Sequence, residues 1–313
     1  FSFPSEQVHV GVTPCGFGYK KMVLDACDSD TAYTLVGNCG SFQKLEDYVR
    51  NKLNGKYLED KIVENKRLIE SLKNDIFTSS SSYELDCYCG QTYLDNLLRG
   101  GYPVALGDKK QIFYVYSRKH GDLEREYNFF QIDSTYFSQG NSNFRDVNQN
   151  RRNDVRFTPR VGTDDLFTFF NLLQLDGFNP LVLAGSRFRI KNFDKLDRVL
   201  GKVLNREEVL KVADFVKKGF TPGRLAKFLE DRITSAGAEF SNGPETSAGQ
   251  GSSIGLEAIK KLVGEITDIS EKEGVADFKE GYWVDHWIYN TDLLEAYLSV
   301  YPDKIVETLF DRC

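Results

Sequence analysis

Residues 136–154 read YFSQGNSNFRDVNQNRRND, and this segment carries the strongest chemical signal in the chain. It places guanidinium, carboxylate and amide groups between aromatic rings and contains almost no aliphatic residue. Burying so many polar groups in an ordinary core is unfavourable, because each buried group needs its own hydrogen-bond partner. A sugar offers hydroxyls to such groups and an apolar face to aromatic rings. The segment therefore predicts a polar binding site, with a solvated polar loop as the alternative.

The overall composition limits the classes of partner. The chain has 313 residues, which is enough for one large core or two ordinary domains. Its net charge of -6 argues against a nucleic-acid partner and against an acidic membrane surface. No apolar run approaches the roughly 20 residues that a membrane-spanning helix needs. We therefore expect no nucleic acid and no membrane span.

The cysteines give an expectation for the compartment. All six are scattered through a long chain, and the spacing of Cys87 and Cys89 is too tight for a zinc knuckle. No histidine or second cysteine pair completes a set of four ligands. Reduced thiols in a cytosolic type of compartment are the simpler interpretation. We therefore predict a cytoplasmic protein without a metal site.

Hydrophobic periodicity divides the chain into three parts. Residues 1–45 contain short alternating or apolar runs at 8–12, 22–24 and 33–36, which predict strands. The next part, residues 46–82, has apolar residues at three- and four-residue steps, which predicts amphipathic helix. Beyond Tyr83 the strand signal fades, and helical faces recur at 90–99, 122–131, 164–176, 193–201, 206–217, 222–234, 254–269 and 290–300.

These parts together predict a mostly α protein with an N-terminal β portion. Helices that pair around an axis and carry polar loops at one end form an α/α toroid. Such a toroid has a central pocket lined by aromatic and acidic residues. The polar segment at 136–154 would then be one of these loops.

Three further segments combine with residues 144–154 into a recognisable pattern. They are residues 93–103 (YLDNLLRGGYP), 116–128 (YSRKHGDLEREYN) and 281–290 (GYWVDHWIYN). In this order the segments resemble the large inverting β-glucan phosphorylases, whose broad relatives are the cellobiose-phosphorylase-like enzymes. With residues 174–181 (QLDGFNPL) included, the closest resemblance is to the β-1,3-glucan phosphorylases of glycoside hydrolase family 149. The resemblance covers most of residues 85–300.

This resemblance implies a domain organisation. The family has a β-sandwich, a helical linker, an (α/α)6 catalytic barrel and a C-terminal β-cap. Residues 1–45 would be the end of the sandwich, residues 46–82 the linker, and residues 83–313 the N-terminal part of the barrel. The rest of the enzyme, or another chain, would then complete the barrel. A homodimer is compatible with this arrangement.

The resemblance also implies a reaction. The family cleaves a terminal glucosyl linkage with inorganic phosphate and releases α-glucose 1-phosphate with inversion. The expected partners are therefore β-glucan oligosaccharides and phosphate, with phosphate as a co-substrate and no cofactor. Because phosphate is already an anion, the site needs an acid and an anion-holding pocket, and it needs no base to activate water. The family's acid lies in a Trp-Asn-Asp-like element late in the barrel, and this sequence contains no match to it or to the later phosphate-holding residues.

Candidate site residues follow from the same resemblance. Arg145 and Asp146 match the Arg-Asp pair that holds hydroxyls of the terminal glucosyl unit, and Gln149 matches a polar position of the same element. An internal salt bridge within a loop is the alternative role for Arg145 and Asp146. Three neighbouring residues are expected to brace this segment from behind, namely Arg151, Arg152 and Asp154.

A second candidate wall lies near the end of the chain. Trp283 and Trp287 are four residues apart and share a face if the segment is helical. Tryptophans at that spacing also suit a core, but Asp285 and His286 between them are unfavourable to bury. We therefore expect Trp283, Asp285 and His286 to contact substrate. Asp285 is the substitute candidate for the missing acid.

Two other functions stay open at this stage. An inverting glycoside hydrolase on the same barrel would need a second carboxylate roughly 6.5–9.5 Å from the acid to activate water. A non-catalytic carbohydrate-binding or scaffold subunit would account for the missing acid element.

Overall fold

The computed structural model describes residues 18–35, 39, 41–115, 135–140, 142–235, 251–278 and 284–310. Several sequence predictions lie outside these ranges. They are the strand at 8–12, the helix at 122–131, the segment at 116–128 and the contact by Trp283.

The strands predicted for the N-terminal part are not found in residues 18–35, which the structure describes. Residues 18–35 contain no strand, and Val23 and Leu24 are exposed in this segment. A strand must pair its backbone groups with a neighbouring strand, and no described residue pairs with this segment. The short apolar run at 22–24 therefore does not form a strand within the described chain.

The predicted helical segment that follows is confirmed. Helix α1 spans Phe42–Asn51 and helix α2 spans Gly55–Lys73, with Ser41 and Asn54 as their N-caps. Each cap side chain accepts a hydrogen bond from a backbone N–H in the first turn, which satisfies one otherwise unpaired donor. Neither helix has a fully buried residue in the single chain.

Helix α3 leads into a hairpin. It spans Tyr83–Gly100 and is followed by β1 (Tyr102–Leu106) and β2 (Gln111–Val115), which pair antiparallel. The turn between the strands begins at Gly107, whose φ of 71° favours glycine. A Cβ at Gly107 would overlap the carboxylate of Asp268. That carboxylate accepts hydrogen bonds from two backbone N–H groups of the turn.

The second half of the polar segment is largely helical, which corrects its interpretation as a loop. After β3 (Ser142–Asn143) come helices α4 (Phe144–Arg151), α5 (Asp154–Phe157) and α6 (Asp164–Phe170). Asn143 caps α4 by accepting from the N–H of Arg145. The helix forms because this cap precedes it and because Phe144 and Val147 enter the core.

A three-stranded antiparallel sheet corrects the expectation that strands fade after Tyr83. Its strand order is β3-β4-β5, with β4 at Val182–Ile190 and β5 at Ser270–Asp277. In β4, Phe188 and Ile190 are buried, and Arg189 between them is exposed. The sequence of β5 is rich in charge and has weak strand propensity, so its structure comes from pairing with β4.

The later part of the chain contains the helices that its hydrophobic periodicity predicted. They are α7 (Phe193–Leu200), α8 (Arg206–Val216), α9 (Pro222–Ser235), α10 (Gly251–Asp268), α11 (Val284–Val300) and α12 (Ile305–Phe310). The described chain is thus mostly helical, with small antiparallel sheets. None of its described helices is long and apolar enough to cross a membrane.

Two apolar clusters hold these elements together. The larger one packs β4 against α7 to α10 through residues such as Phe188, Leu200 and Val263. The smaller one joins α4, α6, β4 and α11 through buried side chains, including Phe144, Phe169, Leu183, Leu293 and Tyr297. Because α4 and α11 share this smaller core, the polar segment lies against the candidate wall near the chain end.

Candidate functional site

Helices α4 and α11 bring the two groups of candidate residues together. Arg145, Gln149 and Arg152 are four and three residues apart, so they lie along one face of α4. All three keep exposure to solvent, whereas the opposite face of the helix is buried. Helix α11 contributes Asp285 next to this exposed face. Residues 145–146 and 285–286, which belong to the two candidate groups, are therefore neighbours in the structure.

Arg145 lies between two carboxylates. Its Nε donates to Oδ1 of Asp146 at 3.1 Å, and its Nη1 is 3.9 Å from Oδ2 of Asp285. The Asp146 side chain is 4% exposed, while those of Arg145 and Asp285 are half-buried. The guanidinium therefore links the two helices and keeps donors available on its exposed side.

Asp146 has one oxygen without a partner. Its Oδ2 is buried and forms no hydrogen bond among the described residues. An ionised carboxylate that leaves an acceptor unpaired in a buried site costs on the order of 1–3 kcal/mol. A donor that reached this oxygen would recover that free energy, and a sugar hydroxyl is such a donor.

His286 is buried beside the same carboxylate. It is 3% exposed, and its ring centroid lies 5.4 Å from that of Phe144. Burial lowers the pKa of His286 below its ordinary value, although Asp285 and Asp146 act in the opposite direction. The imidazole is therefore neutral near pH 7, and its Nδ1 has no partner among the described residues.

A chain of three buried asparagines connects α4, α11 and the loop before β4. Asn148 donates through Nδ2 to Oδ1 of Asn290 at 2.6 Å, and Asn290 donates to Asn179 at 3.4 Å. All three are at most 1% exposed. The sequence interpretation missed this connection. Each asparagine lies in a segment that carried the family resemblance, but nothing in the sequence indicated that the three meet.

A second buried polar cluster lies behind α4. The Tyr114 hydroxyl contacts Oδ2 of Asp165 at 2.6 Å and Oδ2 of Asp154 at 3.1 Å. Burial raises the pKa of Asp165 to about 6 and that of Asp154 well above its ordinary value, while Arg151 opposes both shifts. One guanidinium cannot neutralise two buried carboxylates, so the cluster holds a proton near neutral pH.

Arg151 and Arg152 occupy different environments. Arg151 is buried, donates through Nε to the carbonyl of Gly100 at 2.6 Å, and stacks 3.4 Å from the Tyr114 ring centroid. Arg152 pairs with Asp292 of α11 at 2.8 Å on the more exposed side. Arg151 thus fixes the end of α4 against α3, and Arg152 adds a second contact to α11.

A polar cavity of about 460 Å³ opens beside α4, α3 and α5. Gln149, Arg152 and Asp154 line it together with the aromatic rings of Tyr93 and Phe157. Those two rings meet edge to face at 5.3 Å between centroids. Arg145 and Asp146 are not among its lining residues.

Two features are left to describe, namely the position of the tryptophans and whether any group of side chains could bind a metal ion. Trp287 is half-buried on α11, and Trp283 lies outside the described residues. Within the described ranges no group of three histidine, cysteine or acidic side chains is arranged to hold a metal ion.

No family model, curated protein or solved structure matches this chain.

Proposed function

We propose that this chain supplies the glucosyl-binding part of an enzyme that cleaves β-glucan, with β-1,3-gluco-oligosaccharides as substrates and inorganic phosphate as co-substrate. In this proposal the chain belongs to a larger or multi-chain enzyme. Residues 83–313 form the first part of an (α/α)6 barrel, preceded by the linker at 46–82 and the end of a β-sandwich at 1–45. The remaining part of the enzyme or another chain would complete the barrel, and the assembly could be a homodimer. The enzyme would be cytoplasmic.

The arrangement of Arg145 and Asp146 carries the proposal. Asp146 uses one carboxylate oxygen for Arg145, its other oxygen has no partner within the described part of the chain, and Arg145 keeps further donors exposed. A fixed carboxylate can accept a hydrogen bond from one sugar hydroxyl while the adjacent guanidinium donates to another, and together these bonds orient the ring. A salt bridge with a purely structural role would not require a buried acceptor without a partner.

Neighbouring residues support the same assignment. Asp285 and Trp283 are the proposed second wall, and Asp285 lies 3.9 Å from Arg145. His286, buried and neutral, offers a ring nitrogen without a partner in the described chain. Gln149 lies on the same face of α4 as Arg145 and reaches the adjacent cavity.

The proposed reaction is a displacement at the anomeric carbon of the terminal glucosyl unit. A phosphate oxygen forms a bond to the anomeric carbon while the bond from that carbon to the leaving sugar oxygen breaks. An acid gives its proton to the leaving oxygen, so the products are α-glucose 1-phosphate and a shortened glucan. Asp285 is the candidate acid within this chain.

Product analysis tests the proposal. The protein in its native assembly is incubated with laminari-oligosaccharides, with and without inorganic phosphate. We expect phosphate-dependent release of α-glucose 1-phosphate. Release of free glucose without phosphate would instead assign an inverting hydrolase. Oligosaccharide binding without either product would assign a non-catalytic carbohydrate-binding subunit.

A further inference from the structure

A second cavity, of about 400 Å³, lies between the β1–β2 turn, the 3-10 turn Pro159–Val161, helix α6 and strand β5. None of its lining residues belongs to α4 or α11, so it is separate from the candidate glucosyl site. Three cationic side chains line it, from Lys110, Arg160 and Lys272. Asp164 is the one carboxylate among the lining residues.

Among the described lining residues of this cavity, cationic side chains outnumber carboxylates. Lys272 is paired with Asp164, its Nζ lying 2.6 Å from both carboxylate oxygens. Arg160 donates to the carbonyl of Pro103 at 3.3 Å, and no described carboxylate pairs with Arg160 or Lys110. Two lining cations are therefore without a carboxylate partner among the described residues, on a chain whose net charge is -6. A local excess of positive charge raises the local concentration of anions.

Neutral donors and an apolar floor complete the cavity. The hydroxyls of Thr163 and Thr168 and the amide of Asn171 also line it. The apolar lining includes Ile112 and Val161, each 3% exposed. A ligand held here would meet cations, hydroxyls, an amide and apolar side chains.

The turn that carries Lys110 is held in place. Asp268 accepts from the N–H of Asp108 at 2.7 Å and from that of Lys109 at 3.0 Å. Helix α10 approaches this turn closely, because a Cβ at Gly264 would come within 2.9 Å of the Gly107 nitrogen. A turn fixed in this way lowers the entropy lost when a ligand binds.

We propose that this cavity binds a phosphate monoester of a small sugar or comparable polyol. The phosphate lies against Lys110 and Arg160, since a guanidinium and an ammonium together match the charge and the acceptor oxygens of a phosphate dianion. The cavity is larger than a single oxyanion requires and falls within the range of about 300–1,000 Å³ that is usual for small-molecule sites. The proposal uses no residue of the glucosyl site and does not depend on the proposed function.

Calorimetric titration of the protein tests this site, with glucose 6-phosphate, inorganic phosphate and glucose as probes. We expect glucose 6-phosphate to bind more tightly than inorganic phosphate, and glucose not to bind. The double variant Lys110→Gln/Arg160→Gln should weaken the binding of glucose 6-phosphate by about tenfold or more. The control Lys109→Gln, on the same turn but outside the lining, should leave it unchanged.

One variant should tighten the binding of glucose 6-phosphate instead of weakening it. Asp164→Asn removes the carboxylate from the cavity and frees the ammonium of Lys272, so it should tighten binding of glucose 6-phosphate. Damage to the fold would not produce tighter binding. No binding of glucose 6-phosphate to the parent protein, equal weakening by Lys109→Gln, or weaker binding by Asp164→Asn would each overturn the proposal. Equal affinity for the ester and for inorganic phosphate would overturn the assignment of a monoester.

Discussion

Asp165 is the residue at which burial and charge conflict most directly. It is fully enclosed with Asp154, Tyr114 and Arg151, and burial raises its pKa to about 6 from an ordinary value of 3.8. The folded chain therefore binds a proton at Asp165 more tightly than the unfolded chain does. Protonation at this position stabilises the fold, which is the reverse of the usual behaviour of a salt-bridged aspartate.

The pH dependence of stability follows from this direction. The contribution of Asp165 is fully present below about pH 4, where the unfolded chain is also protonated, and it is lost as the pH rises through about 6. The size of this loss is on the order of 2–3 kcal/mol. We expect Asp165→Asn to remove it, because an amide of the same shape cannot ionise. Urea unfolding at intervals from pH 4 to pH 7 measures the difference in slope between parent and variant.

A matched control separates this effect from other titrations. Asp197→Asn breaks an exposed ion pair between Asp197 on α7 and Arg206 on α8, and it should leave the slope unchanged. If Asp165→Asn has the same slope as the parent protein between pH 4 and pH 7, Asp165 is not the group that titrates in this range.

At the scale of elements, the contact between α4 and α11 organises the candidate site. An apolar core joins the two helices, and the bond from Asn148 to Asn290 lies within that contact. Replacing either asparagine leaves the other with an unpaired buried group, which costs about 1–3 kcal/mol. Replacing both asparagines removes the donor and the acceptor of this hydrogen bond together.

A double-mutant cycle tests this coupling. We expect Asn148→Ala and Asn290→Ala each to destabilise the protein, and the double variant to lose less than the sum by about 1 kcal/mol or more. Urea midpoints of the four proteins give the coupling free energy. Strict additivity would show that the two side chains do not interact in solution.

The helices could be predicted from the sequence, whereas most of the strands could not. One physical reason accounts for this difference. Helix α8 and its neighbours repeat apolar residues at helical spacing, and that signal is local. Strand β5 carries charged residues and is formed by its pairing with β4, which lies about 80 residues earlier in the chain. Such pairing leaves no local pattern in the sequence of β5.

The candidate site was predictable to a similar degree. Arg145 and Asp146 could be selected because their types and order carry chemistry within one short segment. The Tyr114–Asp154–Asp165 cluster could not, because three separate elements supply its members. Local sequence does not show which distant side chains meet in a folded core.

At the scale of the whole molecule, apolar side chains stay uncovered on the helices near both ends of the described chain. Val284 and Ile288 on α11 and Val306 on α12 are 56–66% exposed, and Phe42 on α1 is 74% exposed. Exposed apolar surface of this kind is characteristic of an interface with another chain or domain. We therefore expect the apolar helix face formed by the described residues after about 280 to pack against another chain or domain.

Native mass measurement tests that expectation. We predict that the isolated 313-residue chain associates with itself, because burial of these apolar side chains is favourable by about 25 cal/mol per Å². The matched variant Val306→Asn, on an exposed face of α12, should weaken association without unfolding the chain. A stable, monodisperse monomer at all concentrations would contradict the prediction.

The most direct test of the central claim is the rate of phosphate-dependent release of α-glucose 1-phosphate from laminari-oligosaccharides by Asp146→Asn. Loss of one charge-assisted contact to the sugar should lower kcat/KM by about ten- to a hundredfold. The control Asp197→Asn, a surface variant away from both helices of the site, should retain the parent rate. Unchanged kcat/KM in Asp146→Asn would contradict the account and remove Asp146 from the site.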